Sequence, residues 1–140
     1  MAATYVGFYV YTDLMVETAN QATNAFTLAL TNTLPTKATD TTIVAELGAG
    51  NGYSTGGVAC ATASSAQTAG TYKLTITVPS PTWTSSTGSM GPFRYIILYN
   101  STITQVVAFW DYGSSITLNG ANGDTFTVTI AAEVMSIVTP

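Results

Sequence analysis

The sequence predicts an all-β domain: a single antiparallel β-sandwich or partly closed barrel of about seven to nine short strands, with at most one short N-terminal helix. Three observations carry this. Threonine and serine together hold 38 of 140 positions, and a β-branched residue such as Thr suits a pleated surface. Charged residues make up only 7% of the chain, against about 25% in an ordinary soluble domain, so surface polarity must come from hydroxyls. Short apolar or alternating runs are separated by Gly, Pro and Asn turns, and nothing reads as a long helix. The length fits one domain over residues 1–140, enough for one core but not two.

Residues 4–11 alternate, with Val6, Phe8 and Val10 on one face and Tyr5, Tyr9 and Tyr11 on the other. This is a strand with two usable faces, either an edge strand over the domain's own core or an extended N-terminal arm (1–11). Tyr joins a rigid apolar area to a hydroxyl and is enriched in interfaces, so Tyr5, Phe8, Tyr9 and Tyr11 are candidate interface residues. Thr12 is placed to cap a short helix over Asp13–Gln21, where Asp13 and Glu17 would suit its N-terminal end; a strand there is the other reading.

Residues 26–30 form a strand, 31–40 a loop containing Pro35, and 42–47 a short strand or turn. Five glycines follow in 48–57. The Lys-Ser/Thr of a phosphate-binding P-loop is missing, and no G-x-G-x-x-G opens a helix. Gly52, Gly56 and Gly57 therefore read as structural turn positions. Strands are expected at 58–63 and 72–78, ended by Pro79 and Pro81, with a turn at 88–92. Residues 93–99 are apolar except for Arg94, which predicts a central strand buried on both faces. A turn at 100–105 leads to a buried strand at 106–110 and a further turn, Asp111-Tyr112-Gly113, with Gly113 as its turn glycine. Strands at 115–118 and 125–130 flank a loop with two Asn-Gly pairs, a hairpin signal. Residues 134–138 form the last strand.

Composition also excludes function classes. There is no histidine, so imidazole catalysis and His-based metal sites are absent. The single cysteine, Cys60, has no partner for an internal disulfide and reads as a small buried hydrophobe. A net charge of −4 argues against nucleic-acid partners, and no apolar run approaches the roughly 18 residues of a membrane span. The acids are dispersed and lack calcium-loop spacing. Arg94 and Asp111 stand out, each in an otherwise apolar strand. Pairing of those strands would join them as a structural ion pair; a catalytic carboxylate would need a second titratable group nearby, and none adjoins Asp111. Trp83, Tyr95, Tyr99, Phe109, Trp110 and Tyr112 read as core in preference to a sugar-binding platform. No enzyme activity and no cofactor is expected.

The stretches FTLALTN (26–32), AELGAGNGYSTGG (45–57), GPFRYIILYN (91–100), VVAFWDYGSS (106–115) and NGDTFTV (122–128), in this order, resemble a family of small virion structural proteins of tailed bacteriophages. The family's Gly-Tyr-x-x-Gly-Gly turn falls on Gly52, Tyr53, Gly56 and Gly57. Its Arg-Tyr strand falls on Arg94 and Tyr95, and its Asp-aromatic-Gly turn on Asp111, Tyr112 and Gly113. Its members often begin with a clear helix, where this chain has the Tyr-rich segment 4–11. The resemblance implies a structural role without catalysis. The expectation is a capsid decoration (cement) protein on the outside of the virion, made in the host cytoplasm. Its partners would be the major capsid protein or other virion proteins, with self-association into a homo-oligomer, a trimer being one arrangement. The rivals are a tail, neck or head-fibre component and a host-glycan-binding module.

Overall fold

A computed structural model describes residues 4–7, 23–60, 63–69, 71–76, 81–129 and 133–138. The fold is all-β. Ten strands run in chain order: β1 Thr4–Gly7, β2 Phe26–Thr31, β3 Val58–Ala59, β4 Ala63–Thr68, β5 Thr71–Ile76, β6 Thr82–Thr84, β7 Ser89–Asn100, β8 Gln105–Asn119, β9 Thr125–Thr127 and β10 Glu133–Val138. Every pairing is antiparallel. The main sheet has the order β1-β8-β7-β2-β3; β10-β5-β4 form a second sheet, and β6-β9 a two-stranded ribbon. The single helical element among the described residues is one 3-10 turn, Gly120–Asn122. The segment 12–21, read as helix or strand, lies outside the described residues.

The long hairpin β7–β8 is the spine of the main sheet. Residues 95–98 and 105–110 are buried without interruption, so the continuous apolar runs are covered on both faces, as a central strand requires. Leu28, Leu30, Phe93, Ile96, Ile97, Leu98, Val106 and Ala108 are all essentially inaccessible. The turn between the two strands is organised by Asn100, whose buried Oδ1 accepts from the amides of Thr102 (3.2 Å) and Ile103 (3.4 Å).

Several boundaries differ from expectation. Residues 88–92 were expected to turn, yet Ser89–Pro92 belong to β7: the sequence bends there, and one extra β7 residue between Met90↔Leu118 and Phe93↔Ile116 makes a bulge. A proline is tolerated in a strand at such a point because no ladder donor is needed. Asp111-Tyr112-Gly113 likewise does not end a strand. β8 continues through it with Tyr112–Ser115 bulged opposite the single residue Arg94, and Gly113 takes φ 99° inside that bulge. Residues 42–47, expected as a short strand or turn, make a turn at Val44–Ala45 followed by a bridge between Thr31 and Glu46. β4 and β6 arise where no strand was expected. Among the described residues the strands number ten.

Candidate functional site

The register of the main sheet sets a transverse row across four strands. Thr4 pairs with Asp111, Asp111 with Tyr95, Tyr95 with Thr31, and Thr31 with Glu46. One row thus joins the N-terminal edge strand, the charged bulge and the loop that leads into the glycines.

At its centre Arg94 grips Asp111 with two parallel hydrogen bonds, Nε to Oδ1 and Nη2 to Oδ2, each 2.8 Å. Asp111 Oδ1 also accepts from the Gly113 amide at 2.8 Å, so one carboxylate fixes both the guanidinium and the bulge. The guanidinium carbon lies 5.2 Å from the centre of the Tyr95 ring. The Arg94 hydrogen bonds hold the Asp111 carboxyl below its ordinary range, aided by the Gly113 amide and opposed by desolvation. About a third of each side chain remains exposed, which keeps the pair in a screened, high-dielectric setting. No other titratable side chain makes a hydrogen bond to this pair among the described residues. The arrangement is suited to holding a bulge in shape.

At the far end of the row the glycine loop closes over β2. The Tyr53 hydroxyl accepts from the Leu30 amide at 3.1 Å and donates to Glu46 Oε1 at 2.7 Å. Glu46 Oε1 also accepts from the Gly56 amide at 2.6 Å. Burial, with smaller contributions from Glu46, pushes the Tyr53 phenol well above the usual range, against a lowering by the Leu30 amide. Gly57 has φ 71°, and a Cβ there would collide with the Leu28 carbonyl; Gly52 has φ 103° and lies equally close to the Thr84 carbonyl. The loop is thus laid directly on backbone at Gly52 and Gly57. Residues 47–51 and 89–91 border an open cleft of about 230 Å³, below the roughly 300–1,000 Å³ of ordinary small-molecule pockets.

No family model, curated protein or solved structure matches this chain.

The remaining candidates sort as follows. Tyr5 lies in β1, paired in register with Trp110 of the same chain; residues 4–7 are therefore an edge strand of their own sheet and not a free arm. Phe8, Tyr9 and Tyr11 lie outside the described residues. Trp83, Tyr95, Phe109 and Trp110 are buried, while Tyr99 and Tyr112 are half-buried. Tyr112 packs edge-on against Phe126, which also stacks with Trp83 and meets Phe93 edge-on. These rings pack on one another. Cys60 is partly buried and its thiol is pushed up to about 12 by desolvation. Among the described residues no three His, Cys, Asp or Glu side chains gather as a metal site, and no helix is long and apolar enough to cross a membrane. The Tyr53–Glu46 lock was not foreseen: Glu46 counted as one of the dispersed acids, and only its position seven residues before Tyr53 hints at the contact.

Proposed function

We propose that this chain is a non-enzymatic bacteriophage virion protein that binds the outside of the major capsid shell and stiffens it. The reading rests on the family resemblance in the sequence and on one structural observation. The uncharged aromatic N-terminal segment begins as β1 on the rim of the five-stranded sheet, and an edge strand offers unpaired backbone groups to another chain. A hydroxyl-rich surface with few charges supports it too, because like copies repel little when packed side by side. Among the residues whose burial is described, the large exposed aliphatics are Leu34 and Val44 and the aromatic rings are buried or half-buried, which weighs against a sugar-stacking platform there. Each contact in such a shell is modest, and many copies on one lattice add up.

The test is to mix the purified chain with heads lacking it and to measure bound copies and resistance to heat. A capsid-binding protein saturates in proportion to the major capsid protein and raises the rupture temperature. Binding of only a few copies at one vertex points to a neck or tail part, and binding to a glycan array with no head binding points to a receptor module; either result overturns the proposal. Deleting residues 1–11 abolishes occupancy if the edge segment makes the contact.

A further inference from the structure

The chain contains three Asn-Gly pairs, Asn51-Gly52, Asn119-Gly120 and Asn122-Gly123, and their surroundings differ sharply. In such a pair the glycine nitrogen can attack the asparagine Cγ. The N–Cγ bond forms, the Cγ–Nδ2 bond breaks, and ammonia leaves carrying the amide proton. Water then opens the five-membered imide to aspartate or isoaspartate. No oxidant or reductant is needed. What the reaction needs is a free carboxamide, an accessible glycine nitrogen and a backbone able to bend.

Asn51 is held at both ends of its carboxamide, and its glycine has no room to move on one side. Its Nδ2 donates to the Ser89 carbonyl at 2.9 Å, its Oδ1 accepts from the Thr87 hydroxyl at 3.2 Å, and Gly52 is wedged against the Thr84 carbonyl. Asn119 is held as well. Its Oδ1 accepts from the Ala121 amide at 2.9 Å, and the would-be nucleophile, the Gly120 nitrogen, donates to the Gly88 carbonyl at 2.9 Å in a buried site with no room around Gly120. Asn122 is different. It is exposed, and among the described residues its side chain makes no hydrogen bond. Space around Gly123 is open, and the Gly123 nitrogen is tied only by one 3.1 Å bond to the Gly120 carbonyl, across a single 3-10 turn. A lone turn of this kind opens easily.

We propose that Asn122 is a spontaneous modification site, the position where the folded chain converts asparagine to aspartate and isoaspartate, while Asn51 and Asn119 are protected by the fold. The product places a new carboxylate beside Asp124, whose own side chain accepts from the Asn119 amide at 2.9 Å. The isoaspartyl form also lengthens the main chain by one methylene within the link from β8 to β9.

The test is peptide mass mapping of the intact folded chain during incubation at mildly alkaline pH, with a parallel sample in urea. In the folded sample the unit-mass gain accumulates at Asn122 several-fold faster than at Asn51 or Asn119, and in urea the three rates converge. Comparable rates at all three positions in the folded chain, or a lead for Asn51 or Asn119, would overturn the assignment. So would a ranking that persists unchanged in urea, because the selectivity would then come from local sequence and not from the fold.

Discussion

Tyr53 donates its hydroxyl proton to Glu46 across 2.7 Å while receiving the amide of Leu30, and this joins the glycine loop to a central strand. Replacing Tyr53 by Phe keeps the ring and removes the acceptor that the buried Leu30 amide uses. A buried donor left without a partner costs about 1–3 kcal/mol. The unfolding free energy of Tyr53→Phe should fall by that amount, read as a lower urea midpoint with an unchanged slope. A midpoint equal to that of the parent would mean that the hydroxyl contributes nothing to the clasp.

The same residue predicts sensitivity to alkali. Burial raises the folded-state value of the Tyr53 phenol above its ordinary value of 10.0, so the folded state favours the protonated form. The contribution is complete below pH about 10 and is lost as the pH rises above that. Stability of the parent should therefore drop through this range, and the drop should be smaller in Tyr53→Phe. Equal alkaline losses in the two proteins would assign the effect to other groups.

Asp111 works in the opposite direction. Its carboxyl is held below its ordinary value of 3.8 in the folded state, so its contribution is present above pH about 4 and disappears as the pH falls below that. Because the pair is partly exposed, the coupling between Arg94→Ala and Asp111→Ala should be favourable at low salt, shrink in high salt and vanish in acid. Strict additivity of the two changes at neutral pH would show that the two bonds carry no net stability.

Particular residues show how far the sequence reveals the fold. Residues 93–99 announce β7 because one polar residue in seven leaves no solvent face to mark. Arg94 and Asp111 are conspicuous because each interrupts an apolar run. By contrast, Ala63–Thr68 has neither alternation nor bulk, and it becomes β4 through its full-length pairing with β5. The Asp-aromatic-Gly signal at 111–113 is real but ambiguous: positive φ at Gly113 serves a bulge as well as a turn. The row from Thr4 to Glu46 depends on register between segments far apart in the chain, which periodicity does not encode.

Two neighbouring glycines offer a final separation of causes. Gly56 and Gly57 both have positive φ, 89° and 71°, but a Cβ on Gly56 would meet nothing within 4 Å, whereas one on Gly57 would collide with the Leu28 carbonyl. Gly56→Ala should cost only the left-handed backbone penalty, roughly 1–2 kcal/mol. Gly57→Ala must add displacement of the loop from β2 and, through the Tyr53–Leu30 bond, loosen the central strand. Its midpoint should fall well below that of Gly56→Ala, with faster amide exchange at Leu30. Equal costs for the two variants would show that backbone conformation alone places the glycines, and that the loop does not need its close seat on β2.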